Sequence, residues 1–212
     1  MKFLDNAAIL FCDNHVLVVD KPADIATQPE LVEMAKLWVK KEFHKPGSVF
    51  LEPIHRLDKP VAGVVIFART SKALSRLQEE MRGRNIQKIY HAWVEGSPPL
   101  EKGVLRHFLE HKEFHAEVSP RGKESILTYE KVEKKPGKTL LKIELQTGRY
   151  HQIRAQMQAI GCPILGDKKY GSQVSWSKGI ALYATSVSFT HPVTKEPLYI
   201  KSLQGPLQFE RH

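Results

Sequence analysis

The residues whose types and spacing could do chemistry fall in two blocks. His55-Arg56-Leu57-Asp58 sets a carboxylate beside an arginine at a turn, ahead of Gly63 and the apolar run Val64-Val65-Ile66-Phe67-Ala68. That run reads as a buried strand, and an ionised carboxylate against a buried strand needs a partner, because desolvation otherwise neutralises it. Thr147-Gly148-Arg149-Tyr150-His151-Gln152-Ile153-Arg154 offers two arginines at a strand-to-helix junction. A fixed guanidinium keeps a carboxylate charged and holds its rotamer, which leaves it able to act as nucleophile or base. An isolated turn aspartate would more often cap a backbone amide; the second block can supply a partner, which suggests a site assembled from separate elements.

The elements that must position these blocks follow from periodicity. A strand pair or bent strand over residues 9–20 turns at Asp13-Asn14 and stops at Pro22. Leu31, Met34, Ala35, Leu37 and Trp38 recur at helical spacing through residues 30–43, closed by Lys45-Pro46-Gly47-Ser48. After the strand 64–68, Thr70 or Ser71 caps a helix with Leu74, Leu77 and Met81 on its apolar face and Gly83 as its stop. Strands are expected at 89–94, 103–109, 126–133 and 139–145, the last two joined by the hairpin turn Lys135-Pro136-Gly137-Lys138. A helix over 150–159 stops at Gly161, and strands over 180–189 and 198–201 complete the chain. Hairpin-linked strands with a few helices inserted predict an α+β fold with a mainly antiparallel sheet, in one domain over residues 1–212.

Read together, the motifs resemble those of the RluA-like RNA pseudouridine synthases. His55-Arg56-Leu57-Asp58-x-x-x-x-Gly63 and Gly148-Arg149-x-His151-Gln152-Ile153-Arg154 match two signature blocks. Lys88-Ile89-Tyr90-His91-Ala92-Trp93-Val94-Glu95-Gly96 is similar to a third, and Val18-Val19-Asp20-Lys21-Pro22-Ala23 to the first strand and its Lys-Pro turn. Gly161-Cys162-Pro163-Ile164-Leu165-Gly166-Asp167-x-x-Tyr170-Gly171 continues the pattern. The resemblance implies a bent, mainly antiparallel central sheet with flanking helices and a catalytic cleft. It implies a stand-alone catalytic domain, since the pattern begins within the first ten residues and leaves no room for the S4 domain of some members.

By the same resemblance, Asp58 is the essential aspartate, Arg154 the arginine that pairs with it, and Tyr90 the tyrosine that stacks on the target base or handles its C5 proton. Arg56 either fills the space left by a flipped uridine or contacts a phosphate. Lys88 is a phosphate or structural contact rather than a catalyst, and Leu182 is either an apolar wall against the flipped base or plain strand core. Arg82, Arg84 and Arg149 are candidate phosphate contacts. No cofactor or metal is called for. The chain departs from the family at Val61-Ala62, where Thr-Ser is usual, and at Tyr150, Cys162 and Tyr183; these bear on substrate choice more than on activity.

Composition agrees with that reading. The 32 Lys+Arg against 23 Asp+Glu give a formal charge of +9, which favours a polyanionic partner. The basic residues are spread along the chain, so a folded basic face is expected rather than a tail. Cys12 and Cys162 form no metal-ligand spacing and are expected as reduced intracellular thiols. The first residues make a poor signal peptide, and no stretch has the length of a membrane span. The expectation is a cytoplasmic monomer acting on structured RNA (transfer or ribosomal), with no membrane and no obligatory protein partner. The alternative is a catalytically silent RNA-binding or RNA-folding protein that keeps the fold. A metal-dependent nuclease lacks H-E-x-x-H or a paired-carboxylate motif.

Overall fold

A computed structural model describes residues 4–203 and Gly205. The chain divides into two compact units: one built from the chain up to Gln87 with the stretch from Ala184, the other from Lys88–Tyr183.

In the first unit, β1 (Ile9–Cys12) and β2 (Val16–Lys21) pair antiparallel. Their turn forms because the Asp13 carboxylate accepts from the His15 and Val16 amides at 2.8 and 2.7 Å. The helix α1 (Val32–Glu42) buries Val32, Ala35 and Val39. The short β3 (Glu52–Pro53) and β2 both pair antiparallel with β4 (Ala62–Ala68), which is buried throughout. The helix α2 (Ser71–Arg82) starts where Thr70 Oγ1 accepts from the Ala73 amide at 3.1 Å, and lays Ala73 and Leu77 onto the sheet core. Val16, Val18, Val64, Ile66, Val187 and Phe189 belong to that core; each such side chain fully buried is worth roughly 1.5–3 kcal/mol.

The second unit carries β5 (Gln87–Glu95), β6 (Lys102–His111), β7 (Ala116–Val118), β8 (Lys123–Lys135) and β9 (Lys138–Leu145), in the order β5-β9-β8-β6-β7, all antiparallel. The expected hairpin is present, with Lys135 opposite Lys138 and Gly137 at φ +73°. Strand β7 has no counterpart among the expected elements: two of its three residues are exposed, so no alternation marks it. The helix α3 (Gln152–Ala159) starts two residues later than periodicity predicts, because His151 sits in the left-handed region at φ +51°. The chain then returns to the first unit through β10 (Leu182–Thr190), which lies beside β4 and pairs antiparallel with β11 (Pro197–Lys201). The architecture is α+β. No helix among the described residues is long and apolar enough to cross a membrane.

Gly63 shows why a glycine is needed in the first signature block. Its φ is +120°, and a Cβ there would lie 2.2 Å from the Ala184 carbonyl oxygen. Only the missing side chain lets β4 and β10 come that close.

Candidate active site

In the first unit, Asp58 lies half-buried on the loop before β4. The loop is tied at several points. The Val61 amide donates to the Asp58 carbonyl at 3.0 Å. Thr27 Oγ1 accepts from the Leu57 amide at 3.1 Å and donates to the Leu57 carbonyl at 3.0 Å. His55 Nε2 accepts from the Ile66 amide at 3.2 Å, so this histidine braces the strand. Val61 and Ala62 are 2% and 1% exposed, packed with no hydroxyl to satisfy. Arg56 shares the Asp58 loop and is exposed; Arg82 and Arg84, at the end of α2, are exposed too.

Sequence reasoning placed Lys21 in the Lys-Pro turn and gave it no role. Its side chain is fully buried at the end of β2, and its Nζ donates to the carbonyls of Ile25, Pro22 and Lys59 at 2.6, 3.0 and 3.2 Å. Burial pushes its pKa down to about 8, while the carboxylates of Asp24, Asp58 and Glu30 pull the other way. Lys59 follows Asp58 directly, so one buried ammonium anchors the aspartate's loop and places positive charge near its carboxylate. The signal was the pair Asp20-Lys21 closing a strand whose first four residues are apolar.

In the second unit, Lys88 and Tyr90 stand two residues apart on β5, on one face of the strand. Tyr90 is buried and opposite Ile143 of β9. Burial lowers the pKa of Lys88, whose Nζ lies against Gly148, where a Cβ would be 3.6 Å away. The turn from β9 into α3 is locked by Gln152: its Oε1 accepts from Thr147 Oγ1 at 2.8 Å and from the Arg149 amide at 3.0 Å, and its Nε2 donates to the Ile126 carbonyl at 3.1 Å. Arg149 is exposed, with Nε donating to the Glu124 carbonyl at 3.2 Å. Leu182 is buried at the start of β10.

Arg154 points the other way from Arg149, into the unit, and is 5% exposed. Asp167, itself 1% exposed, receives Arg154 Nε on Oδ2 at 2.7 Å and Nη2 on Oδ1 at 2.8 Å, a bidentate pair. Arg154 Nη1 lies 2.9 Å from His151 Nε2. Arginine can only donate, so Nε2 accepts and the imidazole proton sits on Nδ1, which donates to Tyr170 Oη at 2.9 Å. Burial, reinforced by the Arg154 charge, holds the His151 pKa down at about 3. Tyr170 Oη also accepts from the Ala116 amide at 2.8 Å, and the guanidinium lies over its ring at 4.9 Å. Tyr150 stacks on His151 at 3.8 Å, with His111 against it at 4.2 Å, so the residue that departs from the family pattern covers the histidine. Asp167 and Tyr170 stand within the matched motif, but nothing in their spacing from Arg154 gives them a role.

The matching family model is that of the RNA pseudouridylate synthases, over residues 15–159. The chain belongs to this family. Among curated pseudouridine synthases, the chain is 32% identical over 198 residues to an uncharacterized RNA pseudouridine synthase, YhcT, of Bacillus subtilis, covering 89% of this chain and 65% of that protein. It is 32% identical over 207 residues to ribosomal large subunit pseudouridine synthase C of Vibrio vulnificus, covering 93% and 65%. The chain thus spans just under two thirds of these relatives. Among solved structures, the human RNA pseudouridylate synthase domain containing 4 shares the fold with a TM-score of 0.77 at 21% identity, over 92% of this chain and 87% of that one.

Proposed function

We propose that this protein is an RNA pseudouridine synthase acting on one or a few uridines of structured RNA, with the whole chain as one catalytic domain, as a monomer in the cytoplasm. The observation that carries the proposal is the family match over residues 15–159, a span that holds Asp58, Tyr90 and Arg154 inside their motifs. The formal charge of +9 supports a polyanionic substrate. Several relatives are named as ribosomal large subunit synthases, which makes ribosomal RNA the first substrate to test, with transfer RNA second.

The reaction is an isomerisation. The N1–C1′ bond breaks, the base turns, a C5–C1′ bond forms, the C5 proton leaves and N1 gains one. Atoms and electrons balance within the nucleotide, so no cofactor is required. Asp58 acts as the nucleophile or base, Arg154 maintains the charge that step needs, and Tyr90 offers a π-face to the base and a phenol to the C5 proton. Extruding the uridine costs a few kcal/mol, which Arg56 offsets in part by occupying the space it leaves. Lys88, Arg149, Arg82 and Arg84 contact the RNA backbone, and Leu182 adds an apolar surface.

The test is a pseudouridine map. Unmodified total RNA is treated with wild-type protein and with Asp58→Asn in the presence of a chelator, and sites are read by carbodiimide labelling and primer extension. Sites made by the wild type alone support the proposal. No new site in either sample, with RNA binding retained, would replace it with the silent RNA-binding reading.

A further inference from the structure

Arg154 is held by more than one anchor. A guanidinium on a flexible side chain must be fixed to act with precision, and here the fixing groups are themselves buried and hydrogen-bonded. Asp167 takes the Nε/Nη2 edge through two bonds of 2.7 and 2.8 Å and is 1% exposed. His151 takes Nη1 at 2.9 Å, and Tyr170 holds His151 by its other nitrogen at 2.9 Å. Asp167 is in turn locked by its own loop. Its amide donates to the Ile164 carbonyl at 3.0 Å, and its carbonyl accepts from the Tyr170 and Ser172 amides at 2.9 and 3.1 Å. That loop is fastened to β5, since the Leu165 amide donates to the Trp93 carbonyl at 2.9 Å and the Glu95 amide to the Pro163 carbonyl at 2.8 Å. The strand that carries Tyr90 thus also carries the loop that aims Arg154.

We propose that Asp167, assisted by the His151–Tyr170 pair, is the positioning residue for the Arg154 guanidinium in catalysis, setting its location as well as balancing its charge. The inference rests on the role given to Arg154 above. Asp167 is 1% exposed and bonded to Arg154 through both carboxylate oxygens, so its effect passes through the guanidinium. A displacement of about 1 Å in such a group lowers the rate by up to roughly a hundredfold.

The experiment compares Asp167→Glu, Asp167→Asn, Tyr170→Phe, Arg154→Lys and Asp58→Asn by single-turnover pseudouridine formation at saturating protein, with RNA affinity measured separately. Folding is checked by circular dichroism and thermal melting. Asp167→Glu keeps the charge but moves the carboxylate by a methylene. It is expected to lower the single-turnover rate roughly 10- to 100-fold with RNA affinity unchanged. Tyr170→Phe, which removes only the hydroxyl behind His151, is expected to lower the rate several-fold in the same way. A purely structural role would reduce the folded fraction and the melting temperature while leaving the rate of the folded fraction unchanged. That outcome in folded Asp167→Glu and Tyr170→Phe overturns the proposal, as does a loss that appears in RNA affinity. Should Asp167→Asn fail to fold, the other two variants still decide. Wild-type rates in Arg154→Lys alongside an inactive Asp58→Asn would remove the premise about Arg154. Inactivity of the wild type would instead sink the synthase reading itself.

Discussion

Replacing Lys21 with methionine should remove a contribution that makes stability rise with pH above about 8. The ammonium has no exposure to solvent, and its folded-state pKa is about 8 against an ordinary value of 10.5, chiefly through burial. Between those two values the unfolded chain holds a proton that the folded chain has released. The unfolded state therefore binds more protons there, and stability rises with pH. The contribution is fully recovered above the unfolded value and lost as pH falls through about 8. A shift of that size is an opposing term of roughly 3 kcal/mol at pH 7, falling to about 1 kcal/mol at pH 9.5. The wild type should thus gain about 2 kcal/mol over that interval from this one group, or roughly 4–8 °C in melting temperature for a chain of this size.

The assay is a pair of thermal melts for wild type and Lys21→Met across pH 7–9.5, read as the difference between them, which cancels the other titrating groups. Methionine matches the length and apolar stem of the lysine but leaves the carbonyls of Pro22, Ile25 and Lys59 without this donor. Each carbonyl left unsatisfied costs roughly 1–3 kcal/mol, relief of the buried charge offsets that cost most at pH 7, and the variant should therefore fall further behind the wild type toward pH 9.5. Two parallel curves would refute the reasoning, because they would mean that the buried ammonium keeps an ordinary affinity for its proton. The Lys59 carbonyl adjoins Asp58, so the variant should also lose single-turnover rate at a temperature where it remains folded.

His151 should remain neutral, with its proton on Nδ1, far below the usual histidine range, since burial and Arg154 hold its pKa near 3. The unfolded chain takes up that proton as pH falls below about 6.5, so this histidine reduces stability progressively from there toward pH 3. Nitrogen-15 NMR of the imidazole checks it, and a titration midpoint near 6 would contradict the hydrogen-bond assignment. Neutralising the exposed Arg82, Arg84 and Arg149 should weaken RNA binding and flatten its salt dependence, by about 0.7–0.9 in log–log slope for each phosphate that an arginine no longer neutralises. An unchanged slope would show that they are solvated surface charges.

The strands were legible where one face is buried and the other is not. Along β6 the burial alternates from Lys102 to Phe108, and the hairpin turn at Lys135–Lys138 announced itself by Pro136-Gly137. The ends were less legible. β8 runs from Lys123 rather than residue 126, because its first residues are polar and their pairing with Phe108 and Leu109 is non-local. The start of α3 was displaced by His151, whose left-handed backbone is rare even for histidine, one of the residues that adopt it most readily.

The buried charges were the least legible part of the site, for a common reason. Lysine and aspartate are ordinarily surface residues, and sequence reasoning places them there unless a partner is in view. The partners of Lys21 are backbone carbonyls, which every sequence has and none advertises. The carboxylate that Arg154 meets in its unit is that of Asp167, which lies beyond the helix and the turn after it, outside any helical or strand period. The replaced pair Val61-Ala62 makes the converse point. Both residues are almost fully buried, and without hydroxyls they require no hydrogen-bond partners there. Their substitution therefore alters packing behind the aspartate's loop while leaving the bonds that hold that loop, from Thr27, Lys21 and Val61, to groups the substitution does not touch: two side chains and a backbone amide.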